Sequence, residues 1–240
     1  MRKISSVACM LVVFALGTAA RADTTVGTNE PPGEENCLPF GCDIQVTGNG
    51  PTTQYQQVYS SAAFGSPESI SGLTFYYGSG STDILSGTYD IYLSTTAAAV
   101  DGLSTDPAAN RGSDFTLVDV FNGGVNSDPS FTIEFAQPFS YDPGNGNLLL
   151  EVDAFGQPNN TPNPVISLDS NFLESDLTGQ VTSRAWGPFS NGPLLTDSIG
   201  LVTTFDTSPV PTPEPGALAM IALGLGMLFF LRKKRLKRTT

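Results

Sequence analysis

The chain has 240 residues, a formal net charge of −12 and no histidine. The missing histidine excludes Ser-His-Asp and Cys-His catalysis and most zinc chemistry. Between residues 23 and 208 the only basic residues are Arg111 and Arg184, against 22 acidic ones, so two minus 22 gives this segment a formal charge of −20. Such a field repels nucleic acid and anionic lipid, and we expect no nucleic-acid partner.

Residues 1–22 have the features of a signal peptide. Arg2 and Lys3 precede an apolar run at residues 7–16, and Ala20-Arg21-Ala22 has the small-x-small pattern of a cleavage site. A retained N-terminal anchor is the alternative, but it would need about 20 apolar residues. We therefore predict cleavage before Asp23 and export from the cytoplasm.

Residues 23–36 are rich in Thr, Gly, Pro and Glu and predict a flexible leader before an acidic ectodomain at residues 37–208. Cys37 and Cys42 stand in a C-x4-C arrangement, and in an oxidising compartment this spacing favours a local disulfide. A metal site is the competing interpretation. Two thiols without histidine or a second cysteine pair make a poor zinc site.

The ectodomain shows short runs in which apolar and polar residues alternate, the pattern of β-strands with one buried face. Breakers rich in Gly, Pro and Asn separate the runs, and only residues 97–110 could hold a helical turn. Nine strands are predicted, at residues 53–59, 70–77, 89–93, 115–121, 131–135, 148–154, 165–168, 180–186 and 199–205. The expected fold is all-β, an antiparallel β-sandwich or jelly roll.

Carboxylates are the main chemical groups left in the ectodomain. A pair can hydrolyse a glycosidic bond when the two face each other about 5 to 10 Å apart across a cleft. Glu151 and Asp153 lie two apart on one strand face, but the solvated face of an alternating strand explains them. The sequence therefore predicts a protein that is not an enzyme.

Asp142, Asn145 and Asn147 offer three side-chain oxygens, the ligand type that Ca²⁺ prefers. The order of an EF-hand loop is missing, and a turn between two strands explains the Pro, Gly, Asp and Asn residues here. We predict no cofactor, with calcium at these three residues as the alternative.

The C-terminal segment, residues 209–240, combines a proline-rich spacer, an apolar helix and a basic end. The apolar run at residues 217–231 would reach roughly 22 Å at about 1.5 Å per residue, short of a hydrocarbon core of about 30 Å. It predicts one short transmembrane helix. The basic cluster within residues 232–238 predicts a cytoplasmic C-terminus. Its members are Arg232, Lys233, Lys234, Arg235, Lys237 and Arg238.

Pro213, Glu214 and Pro215, followed by this short apolar helix and basic cluster, resemble the PEP-CTERM sorting signal. The resemblance implies recognition and tail removal by an exosortase, a membrane protease of Gram-negative bacteria that also make exopolysaccharide. It implies an anchored precursor that is in the membrane at least transiently. An ordinary stop-transfer anchor is the alternative, because any single span needs an apolar run and a basic flank.

The same tail is also labelled an ice-binding protein C-terminal domain. An ice-binding face would need a flat, regular array of threonines. Residues 95–96 and 203–204 are isolated Thr pairs, typical of strand ends. Segments 55–59, 87–94, 141–150 and 200–205 resemble, more weakly, domains common among proteins with this tail, and no activity is implied.

The expected function is that of an exported cell-surface or extracellular-matrix protein with a structural or adhesive role linked to exopolysaccharide. One alternative is a carbohydrate-binding module that uses Tyr76, Tyr77, Tyr92 and Trp186. The other is a carboxylate-dependent glycoside hydrolase.

Overall fold

A computed structural model describes residues 23–28, 38–40, 53–79, 84, 86–124, 130–156, 172–173, 175–176, 180–188 and 193–210. The signal peptide, Cys37, Cys42, the strand predicted at residues 165–168 and the tail beyond residue 210 lie outside these ranges. The chain divides into two compact units, Met1–Pro209 and Val210–Thr240. Among the described residues, no helix has the length and apolar character needed to cross a membrane.

Strands dominate the described part of the chain. They are β1 (Thr24–Val26), β2 (Thr53–Tyr59), β3 (Glu68–Ser79), β4 (Thr88–Thr96), β5 (Thr116–Asn122), β6 (Ser130–Tyr141), β7 (Asn147–Phe155), β8 (Phe172–Leu173), β9 (Ser175–Asp176), β10 (Thr182–Pro188), β11 (Leu195–Asp197), β12 (Gly200–Leu201) and β13 (Thr203–Pro209). One short helix, α1 (Pro107–Asn110), and two 3-10 turns (Ser61–Ala63 and Pro143–Asn145) complete the set.

The strands form two main sheets with antiparallel pairing throughout. The five-stranded sheet has the order β1-β13-β3-β6, with β8 paired to β3, and the six-stranded sheet has the order β11-β10-β2-β7-β4-β5. Strands β9 and β12 form a separate pair. The prediction of an all-β antiparallel sandwich is confirmed.

Period-2 alternation located the strands well. Eight of the nine predicted segments coincide with observed strands to within a few residues, and residues 53–59 match the bounds of β2. The predicted helical turn is also present, as α1. The very short strands β1, β8, β9 and β11 were missed because two or three residues are too few to show alternation.

The core lies between the two sheets and is built largely from aromatic rings. Phe40 sits at its centre, with ring centroids 5.2 to 5.9 Å from those of Phe75, Tyr89, Phe121 and Phe131. Tilted and edge-on rings at these distances are favourable beyond the area they bury. Phe40, which precedes the first long strand, β2, thus completes the core between the sheets.

The predicted flexible leader needs a correction. Residues Thr24–Val26 form the edge strand β1, which pairs with Thr203–Phe205 of β13. Val26 is only 1% exposed and belongs to the core. Cross-strand pairing and this single buried side chain order a segment whose composition alone indicates a leader.

The connection between β4 and β5, residues 97–115, lies over the outer face of the six-stranded sheet. A second apolar cluster fills the space beneath it, where Leu103 meets Val58, Leu149, Ala185 and Leu194. A sheet of a two-layer sandwich usually presents its outer face to water. Here part of that face is interior.

Gly112 allows the connection to rejoin β4 closely. A Cβ atom at this position would stand 1.8 Å from the carbonyl oxygen of Thr95, so any larger residue would displace the backbone. The amide of Gly112 also donates to the Ser94 hydroxyl at 3.3 Å. Close backbone approach, not an unusual φ, accounts for this glycine.

We expect Val26→Ala to lower the free energy of unfolding by about 1–2 kcal/mol, because it removes two fully buried methyl groups. Val120→Ala is the matched control, since Val120 is 48% exposed. Urea unfolding of the two variants checks this. Equal stabilities would mean that β1 does not contribute to the fold.

Candidate functional site

The outer face of the six-stranded sheet carries a cluster of polar side chains on three adjacent strands. The register places Gln54 of β2, Asp153 of β7 and Asp90 of β4 in one row across the sheet. The next row contains Gln56, Glu151 and Tyr92 of the same strands. Alternation puts all six side chains on the face turned away from the core.

Glu151 is fully buried and both of its carboxylate oxygens are occupied. Oε1 accepts from Gln54 Nε2 at 2.9 Å and Oε2 accepts from Gln56 Nε2 at 2.7 Å. Arg111 adds a two-pronged ion pair, with Nε 2.8 Å from Oε2 and Nη2 bonded to Oε1. A buried carboxylate is tolerated when it is paired and hydrogen-bonded in this way.

The prediction that Glu151 and Asp153 face solvent is wrong. Glu151 is 0% exposed and Asp153 is 6% exposed. The alternation correctly assigned both to the outer face, but side chains of the β4–β5 connection lie on this part of that face. Period-2 patterns identify a face without showing what packs on it.

The helix α1 brings the covering residues into place. The Asp106 side chain caps α1 by accepting from the Ala108 amide at 3.0 Å. At the other end of α1, Asn110 Nδ2 donates to Gln56 Oε1 at 2.7 Å. The carbonyl of Pro107 accepts from Gln56 Nε2 at 3.0 Å, so Gln56 joins α1 to the sheet.

Asp153 has a different environment from that of Glu151. It accepts from Gln54 Nε2 at 3.2 Å, through the same nitrogen that Glu151 uses. Burial, followed by the nearby charge of Glu151, raises the pKa of Asp153 to about 7, although the Gln54 bond and Arg111 act in the opposite direction. Asp153 therefore exchanges its proton near neutral pH.

Two stacked aromatic rings lie beside Arg111. The Tyr92 and Phe115 rings are parallel, with centroids 4.7 Å apart, and the Arg111 guanidinium lies 4.6 Å from the Phe115 centroid. Burial raises the pKa of Tyr92, and the charge of Asp90 adds to the effect. Stacking and the ion pair together fix the position of Arg111.

Gln54, Gln56 and Arg111 were not predicted as site residues. One available signal was that Arg111 is one of two basic residues between positions 23 and 208. With so few basic residues among so many acidic ones, Arg111 is expected to pair with a specific carboxylate. The other signal was the Gln-x-Gln spacing in β2, which puts two amides on one sheet face.

Arg184 is also in an ion pair, on the inner face of the six-stranded sheet. Its Nε and Nη2 atoms lie 2.7 Å and 2.9 Å from the two carboxylate oxygens of Asp197. Trp186 Nε1 donates to the same carboxylate at 3.3 Å. Within the described ranges, Arg184 Nη1 is buried without a hydrogen-bond partner.

The three calcium candidates do not converge on one point. Asp142 accepts from the Asn145 amide side chain at 3.2 Å within a 3-10 turn. Asn147 instead points to other segments, where it accepts from the Ser61 amide at 2.8 Å and donates to the Ala98 carbonyl at 2.9 Å. Over the described ranges, no group of three acidic, Cys or His residues could hold a metal ion.

The four aromatic residues suggested for glycan binding lie on both sheets. Tyr76 and Tyr77 belong to β3, Tyr92 to β4 and Trp186 to β10. The Tyr76 hydroxyl is 2.7 Å from the Thr204 hydroxyl, and Tyr77 and Trp186 pack against the core. The described residues bring these rings to no common surface.

A row of threonines crosses the outer face of the five-stranded sheet. Thr25, Thr204, Thr74 and Thr132 are cross-strand neighbours on β1, β13, β3 and β6. Thr204 is therefore part of a longer row and not of an isolated pair. The adjacent row contains Asp206, Gly72 and Glu134. The threonines thus form one line and no two-dimensional array on this part of the face.

The PEP-CTERM protein-sorting motif matches residues 211–235, which begin two residues after β13 ends. No curated protein and no solved structure matches the chain. The motif implies export and membrane-anchored sorting in a Gram-negative bacterium. The chain carries a PEP-CTERM protein-sorting motif near its C-terminus, and this motif implies interaction with an exosortase, a membrane protein.

We expect the stability of the wild-type protein, relative to Asp153→Asn, to fall by about 2 kcal/mol between pH 5 and pH 8. The pKa of Asp153 is raised to about 7 in the folded state, so the folded protein binds a proton that the unfolded chain has released. Stability from this group is present at low pH and is lost as pH rises through 7. Urea unfolding of both proteins across this range checks it, and parallel pH profiles would contradict it.

Proposed function

We propose that this protein is an exported cell-surface protein with a non-enzymatic, structural or adhesive role in the exopolysaccharide layer. The PEP-CTERM motif at residues 211–235 is the observation that carries this proposal. It supports sorting to the surface by an exosortase, and it begins directly after the last strand of the sandwich. The sandwich is then the part that remains to act outside the cell.

The chemistry of the described residues supports a role without catalysis. Glu151 is inaccessible, and four hydrogen bonds use its oxygens. A catalytic nucleophile or base needs a free oxygen within reach of its substrate. Arg111 and Arg184 are both held in ion pairs with carboxylates. What the domain offers its surroundings is mainly anionic and hydroxyl-bearing surface.

A glycoside hydrolase is the second candidate, and one observation favours it. Glu151 and Asp153 accept hydrogen bonds from the same nitrogen, Gln54 Nε2, which keeps the two carboxylates within reach of a shared sugar. Their burial opposes this function. Reducing-end release from purified polysaccharides tests it, with Glu151→Gln as the inactive control. We expect no release by the wild-type protein.

Intact-mass analysis of protein from the cell envelope and from the medium tests the main proposal. We expect the mature mass to lack residues 1–22 and the segment beyond about residue 215. The second loss should disappear in cells without the exosortase. We also expect the mature protein to sediment with the polysaccharide layer and to be released when that layer is removed.

Retention of the tail in both strains would show that residues 217–231 are a plain membrane anchor. A processed protein found free in the medium, with none bound to polysaccharide, would leave the sorting intact and exclude the matrix role.

A further inference from the structure

The β4–β5 connection, residues 97–115, is fastened to the sheet at both ends. Near its start, the Asp101 amide donates to Ser183 Oγ at 2.7 Å, and the carbonyl of Thr105 accepts from the Leu194 amide at 2.8 Å. Near its end, Asn110 and Arg111 are bonded to side chains of the sheet. Polar side chains and an apolar cluster therefore both hold the connection on the sheet.

The end of the connection that Arg111 fastens lies over more negative than positive charges. Asp153 is faced by Glu151 on its own strand β7, by Asp90 and Tyr92 on β4, and by Arg111 on the connection. Strand β2 contributes the neutral Gln54. One cation therefore meets three carboxylates, of which Glu151 and Asp153 are withdrawn from water.

We propose that residues 97–115 act as a proton-controlled flap, held closed while Asp153 retains its proton and loosened when that proton is lost. The proposal is independent of the role suggested above, because it concerns how the fold responds to pH. It rests on the shared Gln54 donor, the burial of both carboxylates and the single cation available to them.

Linkage gives the direction of the effect. Opening the flap would let water hydrate Asp153, and its proton affinity would fall towards that of an ordinary carboxyl group. The closed form therefore binds the proton more tightly than the open form. By reciprocity, loss of the proton favours the open form. The effect is complete once the pH exceeds the pKa of Asp153 in the closed form, which is raised to about 7.

Opening would also change the character of the outer face. Besides the polar cluster, the connection encloses the apolar residues Val58, Leu149, Ala185 and Leu194, together with its own Leu103. Exposed apolar surface of this kind promotes association. The flap would thus couple proton release to exposure of an apolar patch.

Hydrogen exchange of the full-length chain purified in detergent tests the proposal. The amides of Asp101, Ser104 and Gly112 are suitable probes, because each is bonded to a side chain at the flap. After correction for the intrinsic pH dependence of exchange, we expect their protection to fall about tenfold between pH 6 and pH 8, as one proton with a pKa near 7 requires. Amides in the β2–β7 ladder should keep their protection.

Three variants separate this device from a general loosening of the fold. Asp153→Asn keeps the hydrogen-bond acceptor but cannot titrate, so its probe amides should show no fall. Asp119→Asn removes a carboxylate from β5 outside the cluster and should behave like the wild type. Asp90→Asn removes one repelling charge and so lowers the pKa of Asp153 in the closed form, and the fall should be complete at a lower pH.

Unchanged protection in the wild type between pH 6 and pH 8 would overturn the proposal. So would an undiminished fall in Asp153→Asn. Should Asp153→Asn fail to fold, an unshifted midpoint in Asp90→Asn would overturn it equally.

Discussion

The outer half of this sandwich depends on the ion pair between Arg111 and Glu151. A carboxylate with no exposure would strongly destabilise the fold if it stood alone, because the loss of hydration would be uncompensated. Arg111 compensates it, and the pair in turn fixes the end of the β4–β5 connection over the sheet. Gln54 and Gln56 complete the set of donors. The burial of Glu151 and the position of the end of the connection therefore depend on each other.

The strands of the sandwich and the sorting motif occupy separate segments of the chain. Strand β1 pairs with β13, so the first and last strands of the described domain are neighbours in the five-stranded sheet. Strand β13 ends at Pro209, and the sorting motif begins at residue 211. A cut anywhere beyond Val210 would leave every described strand and its pairing intact. Tail removal therefore need not alter the sandwich.

The success and failure of sequence reasoning follow from what each pattern measures. Alternation reports the two faces of a strand. It predicted the bounds of β2 to the residue, and it correctly placed Glu151 on the outer face of the sheet. It could not show that residues 97–115 return over that face, because packing between distant segments leaves no local pattern. The threonine row was not predicted for the same reason, since Thr25 and Thr204 meet only through the pairing of β1 with β13.

Charge then limits what the surface can bind. Residues 23–208 contain two guanidinium groups and 22 carboxyl groups, and both guanidinium groups are already paired within the domain. A polysaccharide rich in carboxylates would meet repulsion and find no free guanidinium on the sandwich. A neutral polymer meets no such barrier and can use hydroxyl groups such as those of Thr25 and Thr132. The proposed matrix role therefore fits a neutral or amino-bearing polysaccharide, and an acidic one would need cations between the two surfaces.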